Sequence, residues 1–564
     1  MELNLYAHVL LAIMRYLGPI LALVILLRCA WPLLTFRREP EIWAWLTLEN
    51  GERLPITHWE SVIGKSKRCD VVMNYPTVQR NHAVLIRYDD GSWTISDADS
   101  KTGITVNGEP VDVCEIQNGD QIGIGGVVMS FQPITTAQAQ KLGSLRTKAT
   151  DGWNSIMTLI LLTALQMLTF FSFLLSDPGE NIRHYLIGFL GLVFLQWALF
   201  MFYAFIRRLA FEMETLAFLL CTLGMAVICS VTPAEALKQL IAVGLGLVLF
   251  LLLGWSMRDL ERAKAVRYLA AVAGVGLLVA VLIFGKEYYG AKNWLMIGGI
   301  SLQPSELAKV CFVYVGASTI DRLMKKRNII LFIFYTLAVC GLLALMNDFG
   351  TALVFFFAFL MIAYLRSGSV GTVALACTAL GFAGVIGLKI APHAMRRLTA
   401  WRHIWEDPLD TGYQQTRALM CIASGGLFGL GIGQGKMKRI FAADSDMVFA
   451  TVSEEWGLCM AVILVLCILV FALFALRSAI AGRSSFYVIG ACTAAGILLV
   501  QTIFNVLGTL DVLPLTGVTF PFLSNGGSSM MAAWGLLAFI KAADTRQNAS
   551  FAVILRRERR RSDV

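Results

Sequence analysis

The residues best suited to chemistry lie late in the chain, in the stretch 437–457, MKRIFAADSDMVFATVSEEWG. Basic residues give way to two aspartates, Asp444 and Asp446. The stretch then enters a long apolar segment carrying an adjacent acid pair, Glu454 and Glu455. A carboxylate is costly to hold where a loop meets a membrane helix, so by default it marks a functional position. Partly desolvated, such a group has a raised pKa and suits the work of a general base. The place fits chemistry on a lipid whose polar head lies at the membrane surface.

Four neighbouring segments share that side of the chain. Residues 290–310, GAKNWLMIGGISLQPSELAKV, run from a turn-rich loop through Gln303 into a helix start, where Ser305 can cap and Glu306 sits in the first turn. Lys309 lies three residues on, on the same face, so the pair either shapes a cavity or is a structural ion pair. Residues 347–352, NDFGTA, carry Asp348, which a capping role explains as well as a functional one. The loop 391–446 holds Arg396, Arg397, Arg402, Lys436, Lys438 and Arg439, a basic set that points to an anionic ligand such as a phosphate, unless Glu406, Asp407 and Asp410 simply pair with it. Its glycine run, Gly425 to Gly435, either brings amides to a pyrophosphate or forms a re-entrant hairpin. Residues 514–531, PLTGVTFPFLSNGGSSMM, contain two prolines, adjacent glycines and Ser528. Such a segment is no ordinary spanning helix and is expected to line the site.

The elements that position these groups are membrane helices. The chain is 57% hydrophobic and 15% charged, with a mean hydropathy of +0.68. A soluble chain of this length cannot bury that much apolar surface, so much of it faces lipid. Apolar runs of spanning length fall near 9–34, 156–176, 185–206, 216–232, 239–256, 268–285, 306–320, 329–346, 350–366, 371–390, 447–476, 486–509 and 528–543, about thirteen in all. The first run is followed by Arg37 and Arg38 without a small-residue cleavage site, which favours a retained anchor over a signal peptide. Residues 40–132 differ: polar, alternating and rich in turns, they predict an all-β domain. The expected organisation is an anchor (1–38), a β-sandwich (39–133), a polar linker (134–155), two additional helices (156–209), a membrane core (210–545) and a basic tail (546–564). The twelve cysteines sit mostly in apolar runs without paired spacing and read as free thiols.

Charge sets the expected orientation. Arg207 and Arg208; Arg258, Arg262, Lys264 and Arg267; Arg322, Lys325, Lys326 and Arg327; Arg477 and Arg483; and the tail run at 556–561 fall on one side, which the excess of positive charge makes cytoplasmic. The N-terminus then lies outside, the β domain inside, and Asp446 at the outer face.

In order and spacing, GAKNW…QPSELAK, DFGT, GYQ…SGGLFGLGIGQGKMK, DMVFA…EEWG and PLTG…PFLSNGGSS resemble the SEDS family of bacterial membrane proteins (shape, elongation, division and sporulation; the RodA and FtsW type) over residues 210–545. The resemblance implies a ten-helix core that polymerises lipid II, an undecaprenyl-pyrophosphate-linked disaccharide, into glycan as an inverting glycosyltransferase, working with a class B penicillin-binding protein as transpeptidase. It places the catalytic aspartate at Asp446. Asp444 stands where the family has histidine, Asn525 where it has tyrosine, and Arg417 and Ala418 where it has Gln-Ser. Arg396, Arg397, Lys436 and Lys438 are the candidates for the diphosphate, and Glu306, Lys309, Gln303 and Ser528 for the rest of the substrate cavity. A divalent cation such as Mg2+ or Mn2+ is a candidate cofactor, but the sequence offers no metal-ligand set.

Residues 40–132 resemble a forkhead-associated (FHA) domain, in VIGKSKRCDVVM, VQRNHAVL, DADSKTGITVNG and NGDQIGIGG. That resemblance implies loops that read a phosphothreonine protein, with Lys65, Ser66, Arg80, Lys101 and Thr102 as candidates. Lys65 replaces the family's arginine and offers a point charge without the planar fork. His82 is read as a packing residue. Two other functions stay open at this level: a flippase for the lipid-linked precursor, and a phosphopeptide-regulated scaffold of the wall-synthesis complex. The clustering of special residues on one face favours the enzyme over a transporter, which needs them through the bilayer. No feature points to nucleic acid.

Overall fold

The computed structural model of the protein describes residues 2–35, 41–67, 69–88, 91–135, 138, 152–176, 179, 181–258, 260–288, 291–297, 300–318, 326–367, 369–390, 392–482, 484–546 and 549. Arg37, Arg38, Arg322, Lys325, Arg483 and the basic tail, and most of the expected linker, lie outside these residues, as do the side chains of Lys264, Lys326, Arg327 and Arg396.

Helix α1 (Glu2–Thr35) precedes eleven short strands: β1 (Ala44–Leu48), β2 (Arg53–Ile56), β3 (Glu60–Gly64), β4 (Val71–Val72), β5 (Ala83–Arg87), β6 (Trp93–Asp97), β7 (Ile104–Val106), β8 (Glu109–Val111), β9 (Val113–Ile116), β10 (Gln121–Ile124) and β11 (Val127–Pro133). They form two sheets, in the order β2-β1-β11-β10-β7-β8 and β4-β3-β5-β6-β9. Pairing is antiparallel except between β3 and β4. Alternate side chains of each strand point inward, so Leu46, Ile63, Leu85, Ile95, Ile122 and Phe131 fill a separate core between the sheets.

Sixteen helices cover the described chain outside the sandwich. After α1 come α2 (Gly152–Ser176), α3 (Ile182–Phe205), α4 (Glu212–Val231), α5 (Ala236–Ser256) and α6 (Leu260–Phe284). A three-stranded sheet, β12 (Lys286–Tyr288), β13 (Ala291–Ile297) and β14 (Ile300–Leu302), leads into α7 (Pro304–Ser318). Then follow α8 (Lys326–Leu345), α9 (Phe349–Ser367), α10 (Val370–Ile390), α11 (Pro392–Ala400), α12 (Tyr413–Gly425), α13 (Val448–Glu455), α14 (Gly457–Ile480), α15 (Ser485–Thr509) and α16 (Gly527–Ala542). Among the described residues, nine helices are long and apolar enough to cross a membrane. Helix α4 is buried on nearly every side and is the central post of the bundle.

Two expectations need correction. The apolar run 447–476 is not one helix: it breaks between α13 and α14, where Gly457 takes φ +85°. The amides of Leu458 and Cys459 donate to Gly426 and Leu427 carbonyls of the glycine run, at 2.9 and 3.1 Å, so inserted backbone replaces the helical ladder. The loop 391–446 also carries two helices, α11 and α12.

The sandwich docks on one end of the bundle. Trp59 stands edge-on to Tyr487 of α15, ring centroids 6.1 Å apart, and edge-on to Trp43 at 5.7 Å. The Arg87 guanidinium lies 4.7 Å from the Trp43 ring centroid. Asn505, at the other end of α15, holds the Asp446 loop. Eighteen residues of helix separate Tyr487 from Asn505, roughly 27 Å at ~1.5 Å per residue. The sandwich and Asp446 therefore lie at opposite ends of a spanning helix. All twelve cysteines are free.

Candidate active site at the loop end of the bundle

Three loops meet at this end. Asn505 projects from apolar α15 and its Nδ2 donates to the carbonyls of Asp446 and Val518, each at 2.9 Å. Ser524 Oγ donates to the Ser445 carbonyl at 2.7 Å, and Thr451 Oγ1 to the Ala443 carbonyl at 2.6 Å. The backbone of 441–447 is thus tied to the segment 514–526 and to α13. That segment is itself pressed onto the bundle: a Cβ at Gly224 of α4 would collide with the Leu523 carbonyl, and one at Gly350 would meet the Thr516 carbonyl at 2.6 Å.

Asp446 is half-buried in this junction. Burial pushes its carboxyl up to about 6; Arg397 opposes the rise, and the carboxylates of Asp444 and Asp348 add to it. Arg397 reaches over from α11 and its Nη1 donates to the Thr516 carbonyl at 3.3 Å. Between the two groups stands Gly517, at φ +70°, where a Cβ would lie 3.5 Å from Asp446 Oδ2 and 3.8 Å from Arg397 Nη1. Glycine here supplies both the left-handed turn and room beside the carboxylate.

The other predicted residues divide. Lys309 Nζ and Glu306 Oε2 form a buried ion pair at 2.7 Å in the first turns of α7. Asp348 caps α9 through the Thr351 amide at 3.1 Å, and among the described residues its Oδ2 and Ser305 Oγ have no hydrogen-bond partner. Burial raises the Asp348 carboxyl as well. Gln303 and Ser528 are joined to each other, amide to Oγ, at 3.0 Å. Lys436 is exposed, and Lys438 Nζ donates to the Gly433 carbonyl at 2.7 Å. Arg396 lies on α11, its side chain outside the described residues.

The carboxylates of the acid pair take backbone amides at the end of the glycine run and just beyond it. Glu454 accepts from the amides of Lys436 and Met437 at 2.9 and 2.8 Å, and Glu455 from Gly433 at 3.1 Å and Ser230 Oγ at 2.5 Å. Burial pushes the Glu455 carboxyl up to about 7. The glycines serve close approach: a Cβ at Gly425 or Gly429 would collide with the carbonyls of Ser453 or Glu455. The acid pair is thereby the clasp of a re-entrant hairpin.

The signal for Asn505, missed in the sequence, is an amide side chain in the middle of an apolar spanning run. Among the described residues no group of three or more His, Cys, Asp or Glu side chains is placed to hold a metal ion, so no step is assigned to one.

At the far end, the candidate phosphopeptide residues lie on three adjoining loops of the sandwich. Lys65 and Ser66 donate their amides to the Gln79 and Arg80 carbonyls at 2.7 and 3.1 Å. His82 is fully buried: its Nδ1 accepts from the Gln79 amide at 3.1 Å, and its Nε2 lies 3.0 Å from the Gly103 carbonyl. It packs the 79–82 loop onto the 100–103 loop. Lys65, Arg80, Lys101 and Thr102 are exposed and Ser66 is half-buried, away from the Trp59 contact.

Fold and site together define a multi-pass membrane protein with a carboxylate and an arginine at a junction of loops at one end of the bundle and a β-sandwich at the other. The chain belongs to the FtsW/RodA/SpoVE family of cell cycle proteins, whose family model matches residues 215–549, and a second model, the FHA domain, matches residues 61–125. It is 32% identical over 298 residues to a probable peptidoglycan glycosyltransferase FtsW of Tolumonas auensis, covering 51% of this chain and 77% of that protein. It is 30% identical over 329 residues to the stage V sporulation protein E of Bacillus subtilis, covering 54% and 85%. Among solved structures, a chain from a peptidoglycan synthase complex that coordinates polymerization and crosslinking superposes with a TM-score of 0.50 at 28% identity, covering 58% of this chain and 96% of that one.

Proposed function

We propose that the chain is a peptidoglycan glycosyltransferase that polymerises lipid II at the outer face of the cytoplasmic membrane, with Asp446 as general base. The observation carrying this reading is a half-buried carboxyl raised to about 6, opposed by Arg397 across Gly517. At neutral pH it is ionised yet poorly solvated, the state that takes a proton well. The 4-hydroxyl of the acceptor disaccharide attacks the anomeric carbon of the donor. Its proton passes to an Asp446 oxygen, the bond from C1 to the phosphate oxygen breaks, and the polyprenyl diphosphate departs from the opposite face, which inverts the anomeric centre. Arg397 stands where it can take the charge growing on that diphosphate, with Lys436 at the exposed mouth. Lys438 extends the same basic rim, the Glu306–Lys309 pair with Gln303 and Ser528 shapes the inner wall, and Arg396, next to Arg397 in the sequence, is a further candidate for the diphosphate.

The relatives named as peptidoglycan glycosyltransferases support this activity, and the synthase complex supports a class B penicillin-binding protein as the crosslinking partner. With the basic loops inside, the FHA sandwich is cytoplasmic and its exposed loops meet a phosphothreonine protein. The test supplies purified chain and transpeptidase with labelled lipid II. Wild type is expected to make long glycan and Asp446→Ala none, with both proteins showing the same thermal unfolding. Full polymerisation by the variant removes Asp446 from its role.

A further inference from the structure

Asp444 and Asn525, 81 positions apart, touch each other. Asn525 donates its backbone amide to the Asp444 carbonyl at 2.7 Å and its Nδ2 to Asp444 Oδ2 at 2.8 Å. The same Nδ2 reaches Glu235 Oε2 at 2.7 Å, and Thr232 Oγ1 donates to Asp444 Oδ2 at 3.0 Å. Glu235 is offset in turn by Lys238 Nζ at 3.3 Å. One amide group with two N–H bonds thus serves two carboxylates drawn from different loops. The aspartate at 444 and the asparagine at 525 therefore make chemical sense together.

We propose that Asp444 and Asn525 are a matched pair of positioning residues that lock the 441–447 loop to the 514–526 segment and to the start of α5, and so fix where Asp446 stands and when it ionises. This rests on Asp446 being the base. Asp444 lies two residues from Asp446, in the same tied loop, and its charge opposes ionisation of Asp446. The other charged groups facing Asp446 are Arg397 from α11 and Asp348 at the head of α9. Asp444→Asn keeps an acceptor for Thr232 and Asn525 but removes the charge, so Asp446 should ionise at lower pH.

Three measurements on the full chain with its transpeptidase decide the matter. For Asp444→Asn, the acid limb of the pH–rate profile should move down by about half a unit or more; an unmoved limb overturns the electrostatic half. For Asn525→Ala, kcat should fall roughly ten- to a hundred-fold from misplacement of the base, with KM little changed, and Asn525→Gln should recover part of the loss. A KM effect alone, or no effect, overturns the positioning half. Hydrogen–deuterium exchange of residues 441–447 should quicken in Asn525→Ala, and unchanged exchange overturns the lock whatever the activity. Failure of the wild type to polymerise, or full activity of Asp446→Ala, would instead count against the assignment of function or base, and the exchange measurement would still judge the lock.

Discussion

Asp446 and Arg397 act on each other with opposite signs, and that fixes what each substitution does to the pH dependence. In its proposed role as base Asp446 works as a carboxylate, so rate should rise tenfold per pH unit up to about 6, where the group ionises, and level off above. Arg397 favours the ionised form. Arg397→Ala should therefore move the acid limb to higher pH, the reverse of the shift expected for Asp444→Asn, and should raise KM for the diphosphate-bearing donor. A steady-state pH series on both variants checks this. Two unmoved limbs would mean that burial alone sets the ionisation. Gly517→Ala offers a third reading of the same corner. At φ +70° an alanine is strained by about 1 kcal/mol, and its methyl would stand against the Asp446 carboxylate. Polymerisation should drop more than thermal stability does.

The re-entrant hairpin shows what a sequence can and cannot announce about an element. The apolar runs are readable because spanning length and low charge leave few alternatives, and Asp446 stands out as a candidate because an acid at a loop–helix junction needs a reason. The break at Gly457 was not, since the hydrophobic pattern continues straight through it; only backbone inserted from 426–427 distinguishes it from an unbroken helix. The glycine run invited an anion-cradle reading because its amides looked free. The amide of Gly433 and those of Lys436 and Met437 just beyond the run bond to Glu455 and Glu454, some twenty residues on, and pairing at that distance leaves no local signal. The contact between Asp444 and Asn525 is hidden for the same reason. The clasp is testable by itself. Both Glu454 oxygens accept backbone amides, whereas glutamine has one acceptor and would turn an NH2 on the other amide. Glu454→Gln should therefore lose about 1–3 kcal/mol and lower the unfolding midpoint in detergent. An unchanged midpoint would show that the hairpin does not depend on the acid pair.

At the scale of the molecule, the part of the chain before the matched family region is not an appendage. Helix α1 precedes residue 215, where the family match begins, and comes before the FHA sandwich in the chain, yet its residues 15–18 touch the hairpin. Arg15 Nε donates to the Phe428 carbonyl at 3.1 Å, and the Tyr16 ring meets Phe428 edge-on at 5.0 Å. Gly18 faces the Trp456 ring, where a Cβ would lie 3.1 Å from the nearest ring carbon. Trp456 sits between the clasping Glu455 and the break at Gly457, so a side chain larger than hydrogen at 18 acts as a wedge on the hairpin. The sandwich meets the opposite end of the bundle through Trp59 and Tyr487, which leaves α1 as a continuous rod between the two functional ends. Gly18→Leu should therefore slow glycan polymerisation several-fold without touching any residue of the Asp446 junction, while Ile20→Leu on the exposed flank of α1 should leave the rate unchanged. Wild-type rates for both variants would mean that the hairpin is rigid without α1, and the rod would then serve only to anchor the sandwich.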